Sequence, residues 1–148
     1  MNTIRRYGAL IETGVTDWQI LQQNERGLAD IELQGRWDHP DFKEPRVQAR
    51  VADENTGVSV TTAPDWVDAQ MAPDRTWQVR LPSIPAGGLC RIETRLRTPG
   101  DVGEWAYRGD MVHHVGVGDL WVIAGQSNSA GYGRGAVHDP PEPGIHLF

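Results

Sequence analysis

Residues 118–128 read GDLWVIAGQSN, and at this stretch the pattern of the chain changes. Leu120 to Ala124 is an unbroken apolar run, rich in β-branched and aromatic residues and too short for a helix. It predicts a strand buried on both faces, as in parallel sheets that are covered by helices. The run stops at Gly125, and Ser127 then lies at the carboxyl end of the predicted strand, where open α/β sheets bind their ligands. A serine nucleophile fits this place, because glycine allows a sharp turn and the N–H groups of a following helix can face an oxyanion.

The same stretch resembles the first conserved block of the SGNH-hydrolase superfamily. More narrowly, it resembles the sialate O-acetylesterase-like carbohydrate esterases, in which G-Q-S-N follows an apolar strand. The resemblance implies that Ser127 is the catalytic nucleophile and that its backbone N–H joins the oxyanion hole. Gly125, Gln126 and Asn128 are the remaining candidates for oxyanion or pocket residues. The alternative is a Gln-Ser-Asn turn that merely follows a buried strand, since Ser129 stands where the G-x-S-x-G elbow of α/β-hydrolases has its second glycine.

Composition narrows the class of protein. A chain of 148 residues is long enough for one ordinary domain, or for one small domain and part of another. The net charge of −6 argues against nucleic acid or an anionic membrane as partner. A single cysteine, Cys90, excludes an internal disulfide. The sequence contains no signal-peptide pattern and no run near the ~20 apolar residues of a membrane helix, so we expect a cytoplasmic protein, with secretion after removal of a signal left open.

Residues 1–117 are predicted to be all-β. Apolar and polar residues alternate over residues 28–33, 47–51, 77–81 and 89–96, with turn signals between them, and a last long strand is predicted from Trp105 to Val115. Residues 17–22 and 28–33 predict a hairpin. The pattern is typical of an immunoglobulin-like antiparallel β-sandwich, although the Cys…Trp…Cys spacing of true immunoglobulin domains is absent.

Residues 118–148 are interpreted as the opening strand and nucleophile turn of an α/β, SGNH-type domain that is incomplete. Glycine and proline dominate up to Gly144, and a second strand is predicted to begin at Ile145. In the family that the resemblance indicates, the catalytic domain continues and supplies an Asp-x-x-His pair and further oxyanion donors. We therefore expect a sandwich domain at 1–117, and a base and an orienting aspartate that come from missing downstream sequence.

Two histidines within the chain are candidates for a local base. Asp110 and His113 match Asp-x-x-His by letters, but they precede Ser127, and residues three apart on a strand point to opposite faces. His138, beside Asp139, follows the serine but has no carboxylate spaced to hold its ring.

No cofactor or metal site is predicted. His113 and His114 are expected to lie on opposite faces of a strand, and Cys90 lacks a partner at ligand spacing. The glycines between 131 and 135 lack the Lys-Ser/Thr of a P-loop.

Tryptophan is abundant, with six residues. Trp18, Trp77 and Trp121 are in phase with apolar neighbours and are predicted to lie in the core. Trp37 and Trp66 fall in predicted loops and are the candidates for stacking on a sugar.

Two functions from different classes follow. The first is the N-terminal portion of a carbohydrate O-acetylesterase, in which Ser127 attacks an acetylated carbohydrate and the 148-residue chain alone is nearly inactive. The second is a non-catalytic carbohydrate-binding or interaction sandwich with a vestigial hydrolase segment. In either case the apolar run at Leu120 to Ala124 is expected to dock on the sandwich or to be buried against a second copy of the chain.

Overall fold

The computed structural model describes residues 6–62, 64–98 and 106–126, and this part of the chain contains nine strands and no helix. The predicted mainly-β class is therefore confirmed. The strands are β1 (Gly8–Thr13), β2 (Ile20–Gln22), β3 (Leu28–Asp38), β4 (Arg46–Asp53), β5 (Val67–Asp68), β6 (Gln70–Met71), β7 (Thr76–Pro85), β8 (Leu89–Arg97) and β9 (Tyr107–Gly118). The described residues include no helix that is long and apolar enough to cross a membrane.

The strands form two sheets. One sheet has four strands in the order β1-β3-β7-β6, and the other has five in the order β2-β9-β8-β4-β5. Alternation explains why they share one core: in β8, Cys90, Ile92, Thr94 and Leu96 are buried, while the residues between them are partly exposed. The same alternation buries Ile31 and Leu33 of β3 against the inner side chains of the other sheet. The predicted inner faces of residues 28–33, 47–51, 77–81 and 89–96 are confirmed.

One predicted pairing is wrong. Residues 17–22 and 28–33 do not form a hairpin, because β2 pairs with β9 and β3 pairs with β1 and β7. The β2–β9 pair is also parallel, so the predicted wholly antiparallel arrangement fails at this edge. Gly116 of β9 has no side chain, and the Ile20 side chain of β2 occupies the space that a Cβ would need. This packing fixes β2 on the five-stranded sheet.

The strands β1 and β3 lie close together at Gly35. A Cβ built on Gly35 would overlap the carbonyl oxygen of Leu10 and press on the Trp77 ring. Glycine at this position therefore allows β3 to continue through residues that look like a loop, and Trp37 lies inside the strand.

The apolar run after β9 does not form the predicted strand. Leu120 is 50% exposed, Trp121 84%, Val122 92% and Ile123 71%, so the run is neither buried on both faces nor docked on the sheets. The ladder between β2 and β9 ends at Gln22 and Gly118, and among the described residues no strand continues alongside. The prediction of a core position for Trp121 is wrong for the same reason.

Candidate functional site

The predicted nucleophile segment is described only up to Gln126. Ser127 and Asn128 lie outside the described residues, as do His138 and the glycines of 131–135, so their roles remain predictions. Gly125 and Gln126 are exposed and lie outside any strand. Their assignment to an oxyanion hole or pocket also remains a prediction.

The start of this segment is anchored at the edge of the five-stranded sheet. The backbone N–H of Gln23 donates to the carbonyl oxygen of Gly118 at 2.8 Å, and the N–H of Leu120 donates to Oε1 of Gln22 at 2.8 Å. The Nε2 of Gln22 also donates to Oδ1 of Asp119 at 3.0 Å. The chain that leads to Ser127 therefore leaves the sheet from a defined point beside β2.

Asp110 does not orient His113, as the strand alternation predicts. One carboxylate oxygen of Asp110 accepts from the backbone N–H of Ile11 at 3.0 Å, and the other pairs with Arg6. The Nδ1 of His113 lies instead 2.8 Å from Oε1 of Glu54. Asp110 and His113 therefore contact different residues, on opposite sides of β9.

Glu54 organises a cluster that the sequence analysis missed. Its second oxygen, Oε2, accepts from the backbone N–H of His114 at 2.8 Å, and its side chain is only 12% exposed. Burial opposes ionisation of Glu54, but the hydrogen bonds from His114 and His113 outweigh it and lower its pKa. The His114 ring stacks on Trp18 at a centroid distance of 3.9 Å.

Trp18 is 49% exposed, so its predicted core position is wrong.

A histidine whose Nδ1 is held by a carboxylate is the pairing of base and orienter in serine hydrolases. In the sequence, Glu54 and His113 are separated by 59 residues, so no local spacing indicates the pair. His114 has a positive φ of 58°, and the register between β8 and β9 shifts nearby. The rings of His113 and His114 lie 6.0 Å apart. Across the described ranges, no group of three or more His, Cys, Asp and Glu side chains is placed to hold a metal ion.

Trp37 is not a loop residue that could stack on a sugar. It lies in β3, is 8% exposed, and has the Arg75 guanidinium 4.8 Å from its ring centroid. Arg75 is fixed in turn by Asp38 at 2.9 Å. The predicted loop position of Trp37 is therefore wrong, and its burial argues against its role as a ligand contact, which stays a prediction. Trp77 is buried as predicted, and its Nε1 donates to the carbonyl oxygen of Arg36 at 2.9 Å.

Trp66 does lie in a loop, just before β5, and it is partly exposed. Two guanidinium groups pack on its ring: that of Arg95 at 3.8 Å and that of Arg50 at 4.8 Å from the centroid. An indole in contact with two cations is held in a fixed orientation and gains cation–π attraction. Trp66 therefore remains a candidate for ligand contact.

A network of ion pairs holds Arg50, one of the two arginines that pack on the Trp66 ring. Arg50 pairs with Glu93 at 2.8 Å and with Asp65 at 3.1 Å, and Arg91 pairs with Glu93 at 2.7 Å. Burial opposes ionisation of Glu93, but hydrogen bonds from Arg50 and Arg91 outweigh it and lower its pKa. The network keeps Glu93 ionised and holds Arg50 beneath the indole.

A groove with several polar side chains lies along β3, β7 and β6 and is bordered by Val67 and Asp68 of β5. Its volume is about 380 Å³, and Gln34, Gln70 and Gln78 line it together with Glu32 and Arg80. The Nε2 of Gln78 donates to Oε1 of Gln70 at 2.9 Å. Amide, carboxylate and guanidinium groups can each bond to hydroxyl groups, so this groove is chemically suited to a polar ligand such as a sugar.

Comparison with known proteins finds no matching family model and no matching curated protein. The resemblance to the SGNH hydrolases therefore depends on residues 118–128 alone.

Proposed function

We propose that this chain is the leading part of a serine-dependent carbohydrate O-acetylesterase. It would comprise an immunoglobulin-like sandwich followed by the segment that opens an SGNH-type domain in the parent protein and carries its nucleophile turn. The observation that carries the proposal is an exposed apolar run, Leu120 to Ala124, that leads directly into Gly-Gln-Ser-Asn.

The strand order supports the sandwich. Immunoglobulin-type sandwiches place strands A, B, E and D in one sheet and C, F and G, with C′ in variable-type domains, in the other. Assigning β1, β3, β7 and β6 to A, B, E and D leaves β9, β8, β4 and β5 as G, F, C and C′, in the observed order. The parallel strand β2 is then an addition at the edge beside β9.

The exposure of the run supports a second structural unit. Contiguous exposed apolar surface marks a place where another element packs. Burial returns roughly 25 cal/mol for each Å² of apolar surface removed from water. In a parallel sheet covered by helices, Leu120 to Ile123 would be buried on both faces, and Ser127 would lie at the carboxyl end of the strand.

The chemistry proposed is acyl transfer in two steps. The Oγ of Ser127 attacks the acetyl carbonyl while a histidine takes its proton, and the tetrahedral oxyanion faces the N–H of Ser127. The C–O bond to the sugar then breaks, the sugar oxygen receives the proton, and water hydrolyses the acetyl-serine to acetate. In this proposal the histidine and its aspartate belong to sequence that follows Phe148 in the parent protein.

Hydrolysis of p-nitrophenyl acetate tests the assignment. The parent protein should lose at least about a thousandfold in kcat on Ser127→Ala, since loss of a serine nucleophile lowers turnover by roughly a millionfold in subtilisin. Ser129→Ala, two residues away, is the matched control and should retain activity. The 148-residue chain should show no serine-dependent turnover. Full activity of the Ser127→Ala parent would overturn the nucleophile assignment.

A non-catalytic sugar-binding module is the second candidate. The polar groove at Gln34, Gln70 and Gln78 and the partly exposed Trp66 favour it. Two results together would favour this function over the first. The parent protein would bind sugar, and its Ser127→Ala variant would hydrolyse acetate esters as fast as the unmodified protein, so that no hydrolysis depends on Ser127.

A further inference from the structure

The outer face of the five-stranded sheet carries a concentrated array of arginines. Arg46 of β4 lies directly opposite Arg97 of β8, and Arg95 of β8 lies directly opposite Arg108 of β9. We call Arg46, Arg95, Arg97 and Arg108 the arginine face. The inner neighbours on these strands, such as Val47 and Leu96, are fully buried, so the arginines occupy the opposite, outer positions.

Folding alone does not account for this array. Like charges directly opposite each other across a sheet are destabilising. The chain has 20 acidic and 14 basic residues, so basic side chains are the minority that this surface concentrates. In the part of the chain that the structure describes, neither Arg95 nor Arg108 forms an ion pair within 4.0 Å. Asp68 pairs with Arg46 at 3.9 Å, and the charges of Asp65 and Asp68 offset part of the repulsion around Arg95. Arginines still outnumber these carboxylates on the sheet, which suits the surface to an anion.

Arg95 is the centre of the arginine face. Its Nε donates to Oε1 of Gln48 at 2.8 Å, which fixes the guanidinium. In the proposed complex, the two Nη groups would bond to the ligand. Partial burial and the neighbouring charges of Arg97 and Arg50 lower the pKa of Arg95. A negatively charged ligand would relieve the repulsion from these neighbours.

Trp66 adds a flat apolar surface beside these cations. Arg50 and Arg95, which pack on its ring, both project from the outer face of the sheet, since their strand neighbours Ala49 and Leu96 are buried. The loop before β5 thus holds the partly exposed indole against both guanidinium groups. A planar aromatic surface and a set of guanidinium forks therefore lie next to each other.

We propose that the arginine face and Trp66 bind an acidic carbohydrate. Carboxylates of successive sugar residues would pair with Arg95 and with Arg108, because guanidinium forks match carboxylates in bidentate geometry. The apolar face of a sugar ring would stack on Trp66. A nucleic acid fits less well, because the net charge of −6 repels a long polyanion beyond the local face. The proposal takes from the proposed function only that the ligand is a carbohydrate, and it does not use Ser127.

Titration of the 148-residue chain with tetragalacturonate, followed by calorimetry at low salt, tests this site. Maltotetraose, a neutral oligosaccharide, should bind at least about tenfold more weakly, since charge-assisted bonds supply most of the affinity. The double variant Arg95→Gln, Arg108→Gln and the single variant Trp66→Ala should each lower the affinity for tetragalacturonate by about tenfold or more. Added salt should weaken binding, because it screens the exposed charges.

Arg36→Gln is the matched control, because Arg36 is an exposed arginine on the other sheet that pairs with Glu12 at 3.0 Å. It should leave the affinity unchanged. Thermal unfolding of every variant checks that the sheets are intact, and Arg95→Lys serves if the glutamine variant unfolds, with the same loss expected because lysine lacks the fork.

Absence of tetragalacturonate binding by the unmodified chain would overturn the proposal. Equal binding of hexaaspartate or of a single-stranded oligonucleotide of the same charge would also overturn it, since either result would show an anion surface without preference for sugar. An equal loss with Arg36→Gln would remove the assignment to the arginine face. Ser127→Ala should bind normally, so failure of the esterase assay and failure of this site are distinguishable.

Discussion

The two sheets and the apolar run after them contain similar residues in opposite environments. Leu33 in β3 is 0% exposed, whereas Leu120 in the run is 50% exposed. Val115, near the end of β9, is 0% exposed, whereas Val122, seven residues later, is 92% exposed. The difference lies in the pattern and not in the residue types. Alternating residues let each sheet bury one face against the other, but a continuous run needs cover on every side.

This comparison indicates that the sheets close their core without the run. The buried cluster draws on β1, β3, β4, β7, β8 and β9 and extends along β9 only to Val117. The anchoring bonds of Gln22 reach Asp119 and Leu120 but go no further along the run. Changes before and after Gly118 should therefore differ sharply in their effect on the stability of the sheets.

The largest expected effect separates two leucines. Leu33→Ala should lower the free energy of unfolding by about 2–5 kcal/mol, because it leaves a cavity between the sheets. Leu120→Ala should change it by less than about 0.5 kcal/mol, because Leu120 is half exposed. Urea unfolding followed by tryptophan fluorescence measures both. Equal losses would mean that the run is part of the core, and the comparison would fail.

Alanine substitutions at two glycines test the same difference between the packed sheets and the end of β9. Gly35→Ala should destabilise the sheets by about 1–3 kcal/mol, since the new methyl group collides with the Leu10 carbonyl and the Trp77 ring. Gly118→Ala, where nothing lies within 4 Å of the added carbon, should be nearly neutral. The unfolding midpoints of the two variants in urea provide the measurement. A stable Gly35→Ala protein would show that β1 and β3 can separate at no cost.

Removal of the Glu54 charge should have a smaller effect that depends on pH. At pH 7, Glu54→Gln should lower the free energy of unfolding by about 1–2 kcal/mol, because Glu54 accepts hydrogen bonds from His113 and His114. The folded state lowers the pKa of Glu54 from its ordinary value of 4.5, so the ionised carboxylate stabilises the fold above that pH. Its contribution is lost as the pH falls through the lowered value.

The difference between the unmodified chain and Glu54→Gln should therefore shrink on acidification below about pH 4.5, as urea unfolding between pH 7 and pH 3 would measure. Glu25→Gln, in the exposed turn before β3, is the matched control and should show no such difference at any pH. A constant difference down to pH 3 would contradict the role given to the carboxylate.

The sequence predicts the inner faces of the sheets well, for a physical reason. In a strand of nine residues such as β8, every second side chain faces the core, so the alternation of residue types predicts which side chains are buried. Trp77 is placed correctly by the same phase. Trp37 is not, because the Asp-His-Pro that follows it suggests a loop. In the structure, Gly35 lets β1 approach, and β3 continues through Trp37 to Asp38.

Contacts between distant residues could not be predicted. The three residues of β2 fit a hairpin with β3 as well as a parallel pair with β9, and packing of Ile20 against Gly116 decides between them. Glu54 meets His113, and Arg95 meets Arg108, only because the register of β4, β8 and β9 brings them together. Register is a property of the folded sheet, whereas a motif such as Gly-Gln-Ser-Asn is a property of the chain.

The smallest expected effect on stability, and the most direct test of the exposed run, comes from Val122. Val122→Ser should change the free energy of unfolding by less than about 0.5 kcal/mol, because the side chain is 92% exposed. It should nevertheless reduce self-association, since exposed apolar segments join copies of a chain. Sedimentation velocity at increasing protein concentration measures this self-association.

Val58→Ser is the matched control, at a valine that is 66% exposed and lies in a loop, and it should leave association unchanged. If the unmodified chain is monomeric at every concentration, the run does not join copies of the chain. Rapid amide exchange over residues 119–126 in that monomer would agree with the exposure of the run, and an element supplied by the parent protein would then be required to cover it.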